Sequence, residues 1–340
     1  MTFGDRFYFK LALHRFVNEI WYGRNFWQYL LVPLACFYGA VVRARKMAYE
    51  SGVLNVFRAR VPVLVVGNVS VGGTGKTPLT IWLASKLTDF GFKPGIVCGG
   101  YRGRAKSWPQ QVRADSDNYV VGDEAIILAA NTSVPVVAGP DRGQSVKALL
   151  EKHDVDIVLC DDGMQHYALA RDIEIAVING VRRLGNGKLL PAGPLRESGK
   201  RLAEVDMIVC NGIPARGEFA MKYKADELRK VGDTELTFPV KEFSEKHVHA
   251  VAGIGNPESF FSLLESLGFL LDRHVFPDHH SFEEVDIAFG DNKPILMTEK
   301  DAVKCTRLKN ENMWYLPLNI ELSSAFEDRL KSILKGLLSG

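Results

Sequence analysis

The stretch VPVLVV at residues 61–66, followed by GNVSVGGTGKTP at residues 67–78, decides the fold. A short run of β-branched apolar residues is typical of a strand buried in a parallel sheet. The pattern LTIWLASKLTDF at residues 79–90 then predicts a helix, and Gly91 is placed to end it, since glycine accepts the left-handed backbone found after helices. A strand, a glycine-rich loop and a helix in this order form the context of a phosphate-binding loop, and they predict an α/β fold.

The glycine-rich loop has the chemistry that a phosphate group requires. Glycines let backbone N–H groups curl around a phosphate, and the amino end of the following helix adds partial positive charge. Lys76 is placed to reach the β- and γ-phosphate oxygens, and the Thr77 hydroxyl to bind Mg²⁺. The strict pattern has glycine at position 70, where this chain has Ser70, although Gly72 and Gly73 supply flexibility nearby. The alternative is a glycine-rich turn before a helix that binds no ligand.

Two pairs of acids adjoin apolar stretches. Asp161 and Asp162 end the run IVLC at residues 157–160, at the carboxyl edge of the predicted sheet, where ligands of doubly wound folds gather. A P-loop enzyme needs such an acid for Mg²⁺, and the alternative is a helix cap with a turn aspartate. Asp123 and Glu124 precede the apolar stretch AIILAA, and this pattern fits a helix cap as well as a catalytic group.

Three polar loops are further candidate binding segments. FPDHHSF at residues 276–282 places histidines beside an acid, which favours a histidine that orients a carboxylate base over a metal site, with a surface loop as the alternative. GNGKLLPAGPLRE at residues 185–197 and GGYRGR at residues 99–104 contain arginines, whose guanidinium groups suit phosphate and carboxylate, with a solvated loop as the alternative. Asp141 and Arg142, after the strand pattern PVVAG, are a weaker case.

The composition excludes several classes of protein. Of the 340 residues, 46% are hydrophobic and 24% are charged, unlike either a disordered chain or a polytopic membrane protein. The formal net charge of +2 excludes a basic nucleic-acid coat, so no nucleic-acid partner is expected. Five widely spaced cysteines without a Cys-x-x-Cys pair argue against a disulfide framework or a zinc site and fit a reducing compartment.

The first 50 residues differ from the rest of the chain. They carry 7 Lys and Arg against 3 acids, a net of +4, and 13 of the 34 aromatic residues, whereas the remaining 290 residues have a net of −2. Phe9, Leu13, Phe16 and Ile20 recur at the spacing of one helix face, and residues 26–42 carry no charge. Basic helices with aromatic residues lie well in the headgroup layer of anionic lipid. We expect peripheral or shallow membrane contact, with a helical hairpin packed on the body or a single membrane span as alternatives.

Eight motifs occur in an order that resembles one protein family. They are SVGGTGKTP (70–78), GGYRGR (99–104), VGDE (121–124), DDGMQH (161–166), LLPAGPLRE (189–197), AGIGNPESFF (252–261), FPDHHSF (276–282) and MTEKDAVK (297–304). Together they closely resemble the tetraacyldisaccharide 4′-kinases, the lipid A 4′-kinases of Gram-negative bacteria, from about residue 5 to about residue 325. DDGMQH and PAGPLRE are far more specific than a P-loop alone, and the family tolerates serine or threonine at position 70.

The resemblance implies a reaction, its ligands and its location. The γ-phosphate of ATP would move to the 4′-hydroxyl of an acylated glucosamine disaccharide 1-phosphate, at the cytoplasmic face of the inner membrane. ATP and Mg²⁺ would be bound, the lipid substrate and the inner-membrane surface would be the partners, and no obligate protein partner is inferred. The amphiphilic substrate also gives a reason for a membrane-facing N-terminus, since its acyl chains stay in the bilayer.

The resemblance also implies roles for individual residues. Asp123 matches the aspartate thought to take the proton from the sugar hydroxyl, and His279, rather than His280, matches its histidine partner. The residues implied for ATP are Ser70, Val71, Gly72, Gly73, Thr74, Gly75, Lys76 and Thr77; those for Mg²⁺ are Thr77, Asp161, Asp162 and Glu124; those for the substrate are Arg142, Gln165, Arg196 and Glu197.

We therefore predict a P-loop NTPase of the α/β class, with a doubly wound, mostly parallel sheet, a smaller C-terminal α/β lobe and membrane-facing N-terminal helices. The predicted division is residues 1–50 for those helices, 51–238 for the P-loop kinase lobe and 239–340 for the smaller lobe, with TELTFPVKEF (234–243) as an extended linker. Strands are predicted near residues 61–66, 94–98, 135–138, 157–161, 173–178, 206–210, 294–298 and 314–317. HAVAGIGNPESFFSLLESLG at residues 249–268 predicts a further strand, followed by a turn and a helix.

Two other functions compete with the kinase. A membrane-bound P-loop switch ATPase is the main alternative, but such proteins usually carry a second lysine early in the loop, where this chain has Gly72 and Gly73. A lipid-binding scaffold without catalysis would leave the combination of Lys76 and Asp161 unexplained. Dependence of ATP turnover on the sugar lipid separates these functions.

Overall fold

The computed structural model describes residues 13, 15–23, 25–278, 280–308, 310–317 and 319–339. Helices at the N-terminus precede two α/β lobes. The N-terminal helices cover residues 15–22 (α1), Trp27–Leu30 (α2) and Val32–Glu50 (α3). Phe9, part of the predicted helix stripe, lies outside the described residues.

Helices and strands alternate along much of the remaining chain, as expected of an α/β fold. The helices are α4 Lys76–Asp89, α5 Asn118–Val121, α6 Asp123–Ala130, α7 Arg142–Lys152, α8 Pro257–Ser266, α9 Glu299–Cys305 and α10 Ser324–Ser339, with short 3-10 helices at Gly199–Ala203, Val240–Glu242 and Glu284–Ile287. The strands are β1 Val63–Gly67, β2 Pro94–Cys98, β3 Gln110–Val112, β4 Val136–Ala138, β5 Ile157–Asp161, β6 Ile173–Asn179, β7 Met207–Asn211, β8 Phe219–Lys224, β9 Glu227–Lys230, β10 Asp233–Pro239, β11 His247–Ala252, β12 Leu270–Val275, β13 Ile295–Thr298, β14 Met313–Leu316 and β15 Asn319–Leu322.

Within the described residues, the larger lobe is built on a nine-stranded sheet in the order β15-β8-β7-β6-β1-β5-β2-β4-β3. Strand β1 pairs in parallel with β5 on one side and with β6 on the other, while the edge strands β3 and β15 are antiparallel to their neighbours. Strands β1, β2 and β5 are buried along their whole length. Helix α4 packs on one face of the sheet and α7 on the other, which explains why these strands have continuous apolar sequences.

The smaller lobe is built on a second sheet, which has six strands over the same described part of the chain, in the order β10-β9-β14-β13-β11-β12. Strands β12, β11, β13 and β14 are parallel, and β9 and β10 extend them as an antiparallel edge. Residues 234–243 therefore include most of an edge strand and are not a linker as predicted, because β10 satisfies its backbone by pairing with β9.

The boundary between the lobes differs from the predicted division near residue 238. Strands β9 and β10, which precede that residue, belong to the second sheet, whereas β15 and α10 return to the first lobe. Strand β15 pairs with β8, and Phe326 of α10 contacts the rings of Trp82 and Phe219. The sequence does not show this return, because the amphipathic pattern of α10 indicates that it packs on a core but not on which core.

The two lobes meet where α6 ends and α9 begins. Asn131, directly after α6, donates a hydrogen bond from Nδ2 to Oε1 of Glu299, the first residue of α9, at 2.6 Å. Arg307, beyond α9, forms an ion pair of 3.2 Å with Asp117, which caps α5. Helix α6 therefore contacts the smaller lobe at its carboxyl end.

The N-terminal helices are fastened to the body near residues 185–204. Trp21 Nε1 donates to the Pro191 carbonyl at 3.0 Å, and the Tyr38 hydroxyl donates to the Arg196 carbonyl at 3.1 Å. Lys46 of α3 forms an ion pair of 2.6 Å with Glu204. Across the described ranges, no helix has the length and apolar character needed to cross a membrane.

The strands predicted from the sequence are confirmed to within two residues. The strands that the sequence did not predict are β3, β8, β9, β10, β12 and β15. Of these, β10 was predicted as a linker, and the others are short or carry charges in sequences such as KYK, ELRK and LDRH. Strands of this kind lack the apolar runs that identify buried strands, and backbone pairing with a neighbour decides their structure.

The return of α10 to the larger lobe provides a test of the fold. Phe326 is fully buried against Trp82 and Phe219, so Phe326→Ala should lower the free energy of unfolding by about 3 to 5 kcal/mol. Leu337 lies in the same helix at 36% exposure, and Leu337→Ala should cost less than about 1 kcal/mol. Urea denaturation followed by circular dichroism measures both values, and equal stabilities of the two variants would contradict this packing.

Candidate functional site

Loops that follow the parallel strands converge at one edge of the larger sheet. Residues 68–75 follow β1, residues 99–104 follow β2 and residues 162–166 follow β5. In the sheet, β5 lies between β1 and β2, so the three strands are direct neighbours in the order β1-β5-β2. The carboxyl edge of an open α/β sheet is where such folds bind their ligands, so the predicted site residues in these loops lie in one region.

The loop at residues 68–75, the glycine-rich loop, has a backbone shape that requires glycine. Gly72 and Gly75 have φ angles of +112° and +98°, and Gly75 immediately precedes α4. Asn68 fixes the loop from within, because its Nδ2 donates to Thr74 Oγ1 at 3.3 Å. The loop thus joins a buried strand to a helix amino end, which is the shape that concentrates backbone N–H groups around an anion.

The glycine-rich loop is also bound to the loop at residues 185–197. Ser70, at the position where glycine is usual, is buried and forms an antiparallel bridge with Leu195. The Val71 amide donates to the Pro194 carbonyl at 2.8 Å. Two motifs that are about 120 residues apart in the sequence therefore form one structure.

Asp161 is a buried carboxylate at the last position of β5, 2% exposed. Its Oδ2 accepts a hydrogen bond from Thr77 Oγ1 at 3.2 Å, and its Oδ1 accepts one from Thr80 Oγ1 at 2.8 Å. Burial, reinforced by the negative charges of Glu124 and Asp162, raises the pKa of Asp161 to about 6. Thr80 was not predicted from the sequence. It lies one helical turn after Thr77, and this spacing places both hydroxyls on the same face of α4, which is the feature of the sequence that could have identified it.

Asp162 has the opposite electrostatic setting from Asp161. Its backbone has a φ of +49°, and its carboxylate lies 3.6 Å from Lys76 Nζ and 3.1 Å from an Arg196 guanidinium nitrogen. Burial alone would raise the pKa of Asp162, but the positive charges of Lys76 and Arg196 outweigh burial and lower it. Asp162 therefore stays ionised and links the start of α4 to the 185–197 loop.

Glu197 anchors a buried hydrogen-bond cluster beside Asp162. It accepts a hydrogen bond from Gln165 Nε2 at 2.7 Å and a short one from the Tyr167 hydroxyl. Gln165 Nε2 also donates to the Asn68 carbonyl at 3.0 Å. Gln165, Arg196 and Glu197, all predicted to bind the substrate, are thus brought together at the glycine-rich loop. Tyr167 and Asn68 were not predicted to belong to the site, because neither residue occupies a position that the quoted motifs specify.

Arg142 lies beneath the site and is almost completely buried. Its guanidinium donates to the carbonyl of Gly139 at 2.6 Å and to that of Asp161 at 3.4 Å. Gly99 leaves room for it, since a Cβ there would lie 3.0 Å from Arg142 Nη2. Arg142, predicted to bind the substrate, therefore joins the carboxyl ends of β2, β4 and β5 from within the protein.

Asp123 and Glu124 form the first turn of α6. The residue that caps this helix is Gly122, with a φ of +88° and no side-chain hydrogen bond, so Asp123 is inside the helix rather than its cap. A Cβ on Gly122 would lie 2.3 Å from the Tyr101 carbonyl, which shows that α6 begins against the 99–104 loop. Glu124 acts electrostatically on Asp161, so this turn belongs to the same site.

The structure does not describe His279, which lies outside the described residues. Its neighbour Asp278 contacts Lys300 Nζ at 3.5 Å. His280 Nε2 lies 2.9 Å from Asp286 Oδ2, and its ring stacks on Phe276 with the centroids 4.8 Å apart. His280 thus holds the 276–286 segment together, and the assignment of His279 as the partner of Asp123 stays a prediction.

The residues predicted for Mg²⁺ offer oxygen ligands to a cation. In the part of the chain that the structure describes, no three acidic, histidine or cysteine side chains form a metal site by themselves. Mg²⁺ in phosphoryl-transfer sites takes most of its ligands from phosphate and water, with one or two from protein oxygens. Thr77 and Asp161 are hard oxygen donors in contact with each other, at the amino end of α4 and the carboxyl end of β5. These residues therefore fit Mg²⁺.

Comparison with known proteins shows relatives over nearly the whole chain. A family model described as tetraacyldisaccharide-1-P 4′-kinase matches residues 27–335. Tetraacyldisaccharide 4′-kinase from Nitrosococcus oceani is 49% identical over 319 residues, which cover 94% of each chain. The protein of the same name from Aeromonas salmonicida is 46% identical over 326 residues, covering 94% of this chain and 97% of the relative.

A solved structure has the same fold. The crystal structure of LpxK from Aquifex aeolicus in complex with ATP matches with a TM-score of 0.77 at 29% identity, covering 91% of this chain and 98% of that chain. The resemblance inferred from the eight motifs is thereby confirmed. The chain belongs to the tetraacyldisaccharide-1-P 4′-kinase family.

Proposed function

We propose that this protein transfers the γ-phosphate of ATP to the 4′-hydroxyl of an acylated glucosamine disaccharide 1-phosphate in lipid A biosynthesis. The names of its relatives support this acceptor. The observation that carries the proposal is the contact of Asp162 with both Lys76 and Arg196, which joins the glycine-rich loop to the family-specific 185–197 loop. A phosphate-binding loop and an acceptor-binding loop must be adjacent for phosphoryl transfer, since the reaction depends on positioning.

ATP is the phosphate donor, held by residues Ser70 to Thr77. Support comes from the left-handed glycines, the position of Lys76 beside a carboxylate, and the solved relative in complex with ATP. Lys76 exchanges its contact with Asp162 for the phosphate oxygens when ATP binds. Thr77 and Asp161 hold Mg²⁺, with Asp162 and Glu124 nearby, and this cation neutralises phosphate charge when it is bound.

Asp123 accepts the proton of the sugar hydroxyl, and His279 orients it. The support is the position of Asp123 in the first turn of α6, next to Glu124. The negative charge of Glu124 helps to raise the pKa of Asp161, so the two acids of this turn lie near the proposed cation site. A carboxylate within hydrogen-bond reach of the hydroxyl serves as a general base at neutral pH. The histidine completes a dyad in which one group positions the other.

Arg196, Gln165 and Glu197 form the acceptor side of the site. The Arg196 side chain is 27% exposed, so it can also contact an anionic or polar group of a ligand. Gln165 and Glu197 hold the geometry through their mutual hydrogen bond. Arg142 helps to position Asp161, because its buried guanidinium donates a hydrogen bond to the Asp161 carbonyl.

The N-terminal helices place the protein on the cytoplasmic face of the inner membrane through a stripe of exposed apolar side chains. These recur at spacings of 4, 4, 3 and 4 along α2 and α3, and they are Phe26, Leu30, Leu34, Phe37 and Val41. Arg43 and Arg45 follow the stripe, so one surface combines apolar and basic groups. Such a surface lies in the headgroup layer of anionic lipid, which brings a lipid acceptor to the site.

A membrane-bound switch ATPase is the alternative function, and acceptor dependence separates the two. Purified protein in detergent is given ATP and Mg²⁺ with and without the acylated disaccharide acceptor. A kinase converts ATP in proportion to the acceptor and yields a 4′-phosphorylated lipid. ATP turnover that is unchanged by the acceptor, with no phosphorylated lipid, would support the switch ATPase.

The role of Asp123 has a direct test. Asp123→Asn removes the proton acceptor but keeps the size of the side chain, so acceptor phosphorylation should slow by about 100-fold or more while ATP binding persists. Asp154→Asn is the matched control, because Asp154 is a surface acid of the same lobe, with a side chain 84% exposed. A near-normal rate for Asp123→Asn would remove this residue from the role of base.

Membrane attachment is tested by removing two members of the apolar stripe. Phe26 and Phe37 are 68% and 71% exposed, so the double variant Phe26→Ser/Phe37→Ser should fold normally. Its binding to vesicles of anionic lipid should weaken by about tenfold or more, as measured by co-sedimentation. Val285→Ser, at an equally exposed position on the smaller lobe, is the control. Unchanged sedimentation of the double variant would contradict this attachment surface.

A further inference from the structure

A buried arginine follows the loop at residues 185–197. Arg201, in the short 3-10 helix after this loop, is 7% exposed. Its guanidinium forms an ion pair with Glu174 of β6 and lies 3.5 Å from a carboxylate oxygen of Glu204. On a third side, Arg201 Nε lies 3.9 Å from Glu197 Oε2. Glu174 and Glu197 are buried as well, so Arg201 supplies the positive charge without which these two carboxylates would be costly to bury.

Arg201 acts on Glu197 by charge rather than by a hydrogen bond. Arg201 Nε is buried and has no hydrogen-bond partner in the part of the chain that the structure describes. Glu197 Oε2 instead accepts a short hydrogen bond from the Tyr167 hydroxyl. Burial and this hydrogen bond raise the pKa of Tyr167, so its hydroxyl stays protonated and remains a donor. The Glu197 carboxylate is therefore held by the attraction of Arg201 and by the hydroxyl of Tyr167.

The position of Glu197 determines the positions of the groups around it. Gln165 Nε2 donates to Glu197 Oε1 at 2.7 Å and to the Asn68 carbonyl at 3.0 Å. Arg196 immediately precedes Glu197, and its guanidinium lies 3.1 Å from Asp162 Oδ1 and 3.3 Å from Gln165 Oε1. A displacement of Glu197 would therefore shift both Arg196 and Gln165, the residues proposed to face the acceptor.

The same arrangement extends outward to Lys46 of α3. Lys46 Nζ lies 2.6 Å from an oxygen of Glu204, the carboxylate that also lies beside Arg201. The hydrogen bond from Lys46 lowers the pKa of Glu204, so this carboxylate is ionised at neutral pH. A series of alternating charges thus connects α3 to Glu197.

We propose that Arg201 is a positioning residue for phosphoryl transfer, because it holds Glu197, and with it the acceptor side of the site, in the geometry that binds the acceptor. Lys46 is a second positioning residue, which connects this arrangement to the membrane-facing helix α3 through Glu204. The inference rests on the proposed function, since it assumes that the acceptor lies at Arg196 and Gln165. Phosphoryl transfer depends on the placement of the two substrates, so a carboxylate held from behind the site affects the reaction without touching either substrate.

The kinetics of Arg201→Lys in the full-length protein in detergent test this role. Lysine keeps a positive charge beside Glu174, but its single ammonium group cannot serve three carboxylates at once. We expect the KM for the acylated disaccharide 1-phosphate to rise about tenfold or more, and the KM for MgATP to change by less than about twofold. A general loosening of the fold would change both KM values together. Arg273→Lys is the matched control, because Arg273 also contacts two carboxylates, Glu258 at 3.1 Å and Glu265, on the smaller lobe.

Lys46→Met tests the outer end of the same arrangement. The Lys46 side chain is 25% exposed, so this variant should fold even if Arg201→Lys does not. We expect its KM for the acceptor to rise about threefold, the size of effect that a partly exposed ion pair has. The double variant should be no weaker than Arg201→Lys alone, since both substitutions interrupt one series of charges. Lys147→Met is the control, because it breaks the surface ion pair between Lys147 and Glu151 of α7.

Several results would overturn this assignment. They are equal changes of the two KM values in Arg201→Lys, or an unchanged acceptor KM in either Arg201→Lys or Lys46→Met. An additive loss in the double variant would also overturn it, because the two residues would then act independently. Wild-type protein that converts ATP without phosphorylating the acceptor would instead exclude the proposed function itself.

Discussion

A carboxylate buried at the end of β5 is the constraint around which the rest of the site is arranged. Asp161 loses its hydration, and its own neighbours Glu124 and Asp162 repel its charge, so burial and repulsion raise its pKa to about 6. Two hydroxyls of α4 offset part of this cost by donating to it. These bonds tie α4, and with it the glycine-rich loop, to the end of β5. Asp162 can then turn toward Lys76 and Arg196, which connects the remaining loop.

How much the sequence predicts depends on the range of the interaction. The central strands and the strand–loop–helix at Lys76 were predictable, because local apolar runs and glycine placement specify them. The association of Ser70 with Leu195 was not, since nothing local connects positions so far apart. For the same reason the sequence did not show that Arg142, which the resemblance implies for the substrate, is buried behind Asp161; its role toward the substrate stays a prediction. An arginine in a motif indicates that its guanidinium donates hydrogen bonds to some acceptor, but it does not show whether that acceptor is a ligand anion or a backbone carbonyl of the protein.

The distribution of charge and apolar surface now has a structural basis. The apolar stripe of α2 and α3 faces away from the body, while Tyr38 and Lys46 turn inward to the segment that carries Arg196. The N-terminal helices are therefore packed against the larger lobe rather than joined to it only by a flexible linker. They are braced against the loop that lines the site, so the distance between the apolar stripe and Arg196 is set by direct hydrogen bonds rather than by linker length.

The antiparallel pairing of β8 with β15 shows where the smaller lobe is inserted into the larger one. Lys224, the last residue of β8, is the register partner of Asn319, the first residue of β15. If the intervening chain were excised, these two residues could be closed by a tight turn into an ordinary β-hairpin. The whole smaller lobe thus occupies the tip of a hairpin, a position at which proteins tolerate inserted domains. The sheet of the larger lobe stays complete across that insertion point, because β8 and β15 pair directly with each other.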